Sequence, residues 1–185
     1  ATLSPTGVLT NYSITSSTAL FTIPRAPQTI SFAQPSTPVV YGGTFTVAPT
    51  ASSGLTVTVT PSGGCTIASG TVTMTSGTVD CVLTASQAGD ASSTAAPNVV
   101  HTVVAALRPA SVTPDAASKA FGAADPTLTG TLSGFLAGDN VTATYARAAG
   151  EAVGSYTISA TLAAAGGPGV LANYSITTNT ATSTL

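Results

Sequence analysis

Charged side chains are scarce in this chain: its 185 residues include 4 Lys and Arg and 6 Asp and Glu. The net charge of −2 produces too weak a field to attract nucleic acid, so nucleic acid is not expected as a partner. Soluble monomers normally use surface charge to stay apart. Two explanations stay open. Neighbouring copies or glycans cover the surface, or an extracellular protein tolerates a neutral surface rich in Thr.

Long apolar runs are also missing, because Thr, Ser and Gly interrupt the apolar residues at every second or third position. A membrane-spanning helix needs about 20 apolar residues in a row, so no membrane span is expected in this segment. Trp is absent. The remaining aromatic residues fall mostly in alternating rows, which gives little support for an exposed ligand-binding surface.

Residues suited to catalysis or metal binding are isolated from one another. His101 is the single histidine and has no nucleophile motif beside it, so we expect a solvent-facing strand residue. The acidic residues are spread singly, whereas a calcium site needs several oxygen ligands close together. The sequence therefore predicts no enzyme, no cofactor and no metal site.

Strict alternation of apolar and polar residues is the main structural signal, and it is typical of half-buried antiparallel strands. Gly, Pro and Ser clusters separate the alternating rows at short intervals, for example at Pro61–Gly64 and Gly166–Pro168. Many short strands with such turns predict an all-β chain of tandem immunoglobulin-like β-sandwiches. The clearest rows are 55–60, 71–75, 79–85 and 156–162.

The chain also repeats itself at its two ends. Residues 7–23 read GVLTNYSITSSTALFTI and residues 169–185 read GVLANYSITTNTATSTL, with eleven of seventeen positions identical at a constant offset of 162. Such a repeat indicates a stretch of a tandem array. The leading segment is either the tail of a preceding domain or a strand that inserts into a neighbouring subunit. Its inter-repeat residues are Gly7, Val8, Leu9, Asn11, Tyr12, Ile14, Phe21 and Ile23.

Two proline-containing junctions divide the chain into 1–23, 24–107 and 108–185. They lie at Ile23-Pro24 and at Leu107-Arg108-Pro109. Proline stiffens such joints and removes a backbone donor. The two longer segments also share an early aromatic-Gly step, at Tyr41-Gly42 and Phe121-Gly122. About 80 residues each suits a small sandwich.

Several motifs run through segment 108–185, namely Lys119 to Gly122, Asp125-Pro126, Leu132 to Gly134, Gly138-Asp139, Arg147, Gly150-Glu151, Val153 to Tyr156 and Asn173 to Ile176. Through these motifs the segment resembles the MBG domain, a bacterial immunoglobulin-like repeat of very long surface proteins, and residues 1–23 resemble the end of one. Segment 24–107 resembles other bacterial immunoglobulin-like repeats of such proteins, through motifs such as Tyr41-Gly42 and Gln87-Ala-Gly89. The resemblance implies extracellular stalk or adhesin modules without catalytic residues.

Cys65 and Cys81 are the only cysteines, and both fall on apolar-facing strand positions. A disulfide between them would stabilise a small extracellular sandwich by about 3 kcal/mol in the loop-entropy model. The alternative is a pair of reduced, buried thiols.

Three further residues suggest a special cross-link. Lys119, Glu151 and Asn173 follow the order that an internal Lys–Asn amide bond would need, with a surface ion pair as the plainer interpretation. Asn11, Asn140 and Asn173 stand in N-x-Ser/Thr glycosylation motifs, which a Ser/Thr-rich chain also acquires by chance. Asn11 and Asn173 could instead shape the turn before the last strand.

Together these features predict a structural repeat unit, with a period of 162 residues, of an extracellular bacterial filament or giant cell-surface stalk. Its expected partners are copies of itself, arranged head to tail. The alternative is an adhesin module that binds a surface glycan or a host protein. The expected location is the bacterial cell surface.

Overall fold

The computed structural model describes residues 12, 13, 15 and 17–184. The strands before Leu107 are β1 (Ile30–Ser31), β2 (Val39–Val40), β3 (Thr44–Thr46), β4 (Thr50–Ala51), β5 (Thr58–Gly63), β6 (Cys65–Ala68), β7 (Thr71–Met74), β8 (Cys81–Ser86), β9 (Val99–Val103) and β10 (Ala105–Ala106). Those after Leu107 are β11 (Arg108–Pro114), β12 (Ala117–Ser118), β13 (Gly130–Ser133), β14 (Val141–Arg147), β15 (Ser155–Ala164), β16 (Tyr174–Thr178) and β17 (Ala181–Thr184). A short helix α1 (Pro168–Leu171) and a 3₁₀ turn (Ala137–Asp139) complete these elements.

The fold is all-β, as the alternating rows predict. Each strand of the first β-unit (residues 26–106) pairs within that unit, and each strand of the second β-unit (residues 108–184) pairs within the second. Leu107 is the single residue between them.

In the first β-unit, a sheet of order β3-β7-β6 packs against a sheet of order β5-β8-β9, while β1 pairs with β4 and β2 with β10. Period-two alternation sends every second side chain of β7 and β8 into the space between the sheets. This core contains Val72, Met74, Leu83 and Val103, which are at most 1% exposed.

In the second β-unit, a sheet of order β13-β11-β16 packs against a sheet of order β12-β17-β15-β14. Val112 of β11 and Ile158 of β15 are fully buried between them. The strand β15 is the longest, and its alternating row runs through Tyr156 and Ile158 as the sequence predicts.

The parallel pairs fix the polarity of the second β-unit. β11 runs parallel to β16, so Arg108 and Tyr174 lie side by side at the end that faces the first unit, here called the near pole. β12 runs parallel to β17, and Ser155 lies opposite Thr184. The opposite end, called the far pole, therefore holds Thr184 and the start of β15.

The leading segment forms no strand in its described part, and Tyr12, Phe21 and Ile23 are 67%, 85% and 79% exposed. Gly7, Val8, Leu9, Asn11 and Ile14 lie outside the described residues. Pairing of this segment with another sandwich stays a prediction. Its counterpart, residues 169–184, comprises most of α1 together with β16 and β17.

Candidate functional site: the joint between the β-units

The two β-units meet without a flexible linker. β10 ends at Ala106 and β11 begins at Arg108. The Arg108 amide donates to the Asn173 carbonyl at 2.9 Å, and its guanidinium donates to the Gly134 carbonyl at 2.8 Å. The same guanidinium reaches the Tyr41 carbonyl of the first unit at 3.4 Å. These hydrogen bonds of Arg108 thus hold the chain directly after Leu107, the residue that connects the two units.

A carboxylate shared by two tyrosines forms the centre of the joint. Asp139 ends the 3₁₀ turn of the second unit and accepts from Tyr41 of the first unit, 3.0 Å away. Its other oxygen accepts from Tyr174, the first residue of β16. The two tyrosine rings meet edge to face, with centroids 5.5 Å apart. This geometry gives both directional hydrogen bonds and apolar ring contact.

Burial tunes both phenols. It raises the pKa of Tyr174 to about 12, with a further contribution from the hydrogen bond to Asp139. Burial also raises the pKa of Tyr41, again assisted by the hydrogen bond to Asp139. Both side chains are therefore neutral donors at physiological pH, which is the state that the carboxylate requires.

Asn173 forms a second contact across the joint. Its side-chain oxygen accepts from the Gly77 amide at 2.8 Å, while its side-chain nitrogen donates to the Val170 carbonyl at 3.2 Å. An ideal Cβ at Gly77 would lie 2.7 Å from the Asn173 carbonyl oxygen, so only glycine allows this approach. Because Asn173 is committed to this contact, a glycan there does not fit the described arrangement.

Gly42 completes the interface. It follows Tyr41 in the turn after β2 and has a φ of +72°, a conformation that favours glycine. An ideal Cβ there would lie 2.6 Å from a methyl of Leu136 in the second unit. The Leu136 amide in turn donates to the Tyr174 hydroxyl at 2.9 Å, which links this packing to the shared carboxylate.

Four charged residues form an ion-pair cluster at the far pole. Lys119 Nζ lies 2.7 Å from both Asp125 and Glu151, while Arg147 pairs with the same two carboxylates. Hydrogen bonds from Arg147 and then Lys119 lower the pKa of Asp125; those from Lys119 and then Arg147 lower the pKa of Glu151. Asn173 lies at the near pole, so the structure brings together the ion pair and not the components of an internal amide.

Cys65 and Cys81 form the expected disulfide, with their Cα atoms 5.2 Å apart. The bond joins β6 of one sheet to β8 of the facing sheet, inside the apolar core of the first unit. It therefore connects the two layers covalently.

His101 lies in β9, but its ring is half-buried and not solvent-facing. It packs edge-on against Phe32, with centroids 4.8 Å apart, and Nε2 lies 2.8 Å from the Phe32 carbonyl oxygen. The prediction missed this contact because the residue's only sequence signal was its isolation.

Within the described residues, no group of three or more His, Cys, Asp or Glu could hold a metal ion. No helix found there has the length and apolar character to cross a membrane. An open hollow of about 490 Å³ lies between the 32–36 segment and β3. The described residues that line it, 32–36 and 45–48, are uncharged.

Comparison with known families supports one prediction directly. The model of the MBG domain (YGX type) matches residues 110–184, which confirms the resemblance of the second β-unit. The MBG domain is a repeat domain of bacterial surface proteins. A search of the curated proteins finds no match to the chain.

Sequence reasoning missed the joint. Tyr41-Gly42 stood out only as an aromatic-Gly step and a repeat motif, and Asp139 only as part of an MBG-like motif. The repeated Asn-Tyr pair, at 11–12 and 173–174, was the one available signal, because a surface contact needed in every repeat would keep its residues.

Proposed function

We propose that the chain is a structural repeat unit, with a period of 162 residues, of an extracellular bacterial filament or giant cell-surface stalk. The observation that carries this proposal is the recurrence of residues 7–23 at 169–185. Residues 24–185 then make one full period. The role is mechanical and not catalytic: the repeats hold distance between two points and carry tension.

The joint between the β-units supports this role. A spacer needs domains that do not pivot freely, and a short, hydrogen-bonded connection provides that stiffness better than a Gly/Ser-rich linker. Tyr41, Asp139 and Asn173 place polar contacts on both sides of the single connecting residue. The repeated Asn11-Tyr12 pair would form the same contacts in the preceding period.

The surface and the disulfide fit a location outside the cell. Disulfides persist in oxidising compartments, and Cys65–Cys81 is buried at the sheet-to-sheet contact of the first unit. Few charged residues leave few sites for trypsin-like proteases. Both features favour exposure on a bacterial surface.

A denaturing gel of the native material, run with and without reductant, and electron microscopy of the particles test the proposal. A single band whose mass is far larger than that of one period indicates a covalent array. A small species that assembles into fibres, and loses assembly when residues 1–23 are deleted, indicates strand exchange between subunits. A small species that stays monomeric under the microscope contradicts both forms of the proposal.

A further inference from the structure

The two β-units end in the same way. In the first, β2 runs parallel to β10, and the Tyr41 amide donates to the Ala106 carbonyl at 3.0 Å. In the second, β12 runs parallel to β17, and the Lys119 amide donates to the Thr184 carbonyl at 3.1 Å. The turn after the short parallel strand therefore lies beside the last strand in both units.

In the first unit this turn makes the contact with the next unit. Tyr41 binds Asp139, and Gly42 packs against Leu136. In the second unit the corresponding turn carries Phe121-Gly122, and Gly122 also has a positive φ, of +79°. Phe121 is 71% exposed. It is a large apolar side chain two positions after Lys119, the residue whose amide hydrogen bond to the last strand corresponds to that of Tyr41.

A second loop of the far pole extends this exposed surface. Val153, in the loop between β14 and β15, is 76% exposed. The ion pair between Lys119 and Glu151 ties this loop to the Phe121 turn. Single exposed apolar residues are ordinary, but Phe121 and Val153 stand on loops that the Lys119–Glu151 ion pair connects.

The cations and carboxylates of the far-pole cluster differ in exposure. The Lys119 and Arg147 side chains are only 6% and 9% exposed, whereas those of Asp125 and Glu151 are 46% and 64% exposed. The carboxylates thus face solvent while their cations lie beneath. An incoming basic group would meet negative charge first.

The repeat supplies the basic group. Thr22 corresponds to Thr184 at the offset of 162, and Arg25 follows Thr22 by three residues. Arg25 is exposed, with one described hydrogen bond to the Asp90 carbonyl at 3.3 Å. In an array, the next period's Arg25 therefore emerges next to the strand that pairs with β12.

We propose that the far-pole surface, formed by Phe121, Val153 and the carboxylates of Asp125 and Glu151, docks a second copy of residues 24–107. The Arg25 side chain of that copy lies against the carboxylates, and its Pro24-flanked end covers Phe121. This inference rests on the proposed array and makes both kinds of joint rigid.

The test protein joins the full chain to one further copy of residues 24–185, so that it contains two periods. Each period is isotope-labelled in a separate sample. Hydrogen exchange is followed by NMR. The far pole of the first period has a domain after it, and that of the second has none. Amides of residues 119–123 and 151–154 should exchange about tenfold more slowly in the first period, because docking excludes solvent.

Variants identify the surface. The double variant Phe121→Ser and Val153→Ser in the first period should remove the difference, as should Arg25→Glu in the second. Val100→Ser is the matched control, because Val100 is 55% exposed on β9 and lies away from the pole. Protection of the Gly77 amide, which donates to the Asn173 side chain across the joint, reports that each variant keeps its near-pole joint.

Equal exchange at the far poles of both periods would overturn the docking inference, and so would protection that survives the double variant. Either result leaves the array proposal standing, because the size and assembly of the native material test that proposal separately. A monomeric native species would refute the array without reference to these amides.

Discussion

The Tyr41 hydroxyl and the Asp139 carboxylate, 98 positions apart in the chain, lie 3.0 Å from each other across the joint between the β-units. The contact is directional and charge-assisted, and Tyr174 holds the carboxylate from the other side. It makes the relative position of the two units a property of named side chains rather than of a linker.

Replacing Tyr41 with Phe should weaken this joint without removing the ring contact with Tyr174. We expect a loss of about 1–2 kcal/mol in the free energy of unfolding, because a hydrogen bond to a charged group is lost while the carboxylate keeps Tyr174. Urea unfolding of Tyr41→Phe, Asp139→Asn and the double variant measures the coupling. Tyr145→Phe, on β14 away from the joint, is the control. Additive effects of Tyr41→Phe and Asp139→Asn would contradict the assignment.

Alkaline pH should loosen the joint. A raised pKa means that the folded state holds the phenol proton more tightly than the unfolded state does. The stabilisation is complete below the ordinary tyrosine pKa of about 10 and is lost as pH rises toward the Tyr174 pKa of about 12. A spectrophotometric tyrosinate titration should show a late-titrating fraction that shrinks in Tyr174→Phe. Simultaneous ionisation of all tyrosines near the ordinary value would be inconsistent with the buried phenols.

Gly77→Ala should disrupt the second contact of the joint. A Cβ there meets backbone of Asn173, which cannot move aside as a flexible side chain could. We expect destabilisation of about 1–3 kcal/mol, as for other overpacked sites. Calorimetry and small-angle scattering measure stability and the angle between the units. The matched control is Gly154→Ala, where an added Cβ meets no atom within 4 Å. Equal effects of the two variants would argue against close approach at Gly77.

Removing the disulfide should destabilise the first unit alone. The paired change Cys65→Ala and Cys81→Ala should cost about 3 kcal/mol, since a cross-link that closes a loop of this length restricts the unfolded chain. Calorimetry should show that loss of the disulfide, by substitution or by reductant, lowers the unfolding temperature of the first unit and leaves that of the second unchanged. A drop in both transitions would mean that the units unfold together.

Acid should weaken the far pole. The pKa values of Asp125 and Glu151 are lowered by Arg147 and Lys119, so the stabilisation is present above the ordinary carboxylate values and is lost as pH falls through the lowered ones. Glu151→Gln should reduce the acid dependence of unfolding of the second unit. Thr142→Gln, a neutral change at an exposed position of β14, is the control variant. An unchanged pH dependence of unfolding in Glu151→Gln would show that the cluster does not cause the loss of stability in acid.

Alternation alone predicted much of the fold. The rows around Val72 and Ile158 became β7 and β15, because period two fixes which face of a strand is buried. The cysteine positions also predicted a disulfide, since both fell on apolar-facing sites.

The joint could not be predicted in the same way. Tyr41, Asp139 and Asn173 are local turn residues in sequence, and their meeting depends on which pole each turn occupies. That placement follows from the parallel pairing of β11 with β16, which hydrophobic pattern does not encode. The leading segment shows a similar limit, because the repeat identifies residues 169–185 as its counterpart but does not identify the sandwich with which it pairs.

The parallel alignment of β11 and β16 has a consequence for stretching. The pair runs side by side from Arg108 and Tyr174 to Val112 and Thr178. A pull that enters at Arg108 and leaves at Thr184 drags β11 lengthwise along β16 in shear. Their hydrogen bonds then resist as a group instead of opening one after another like a zip.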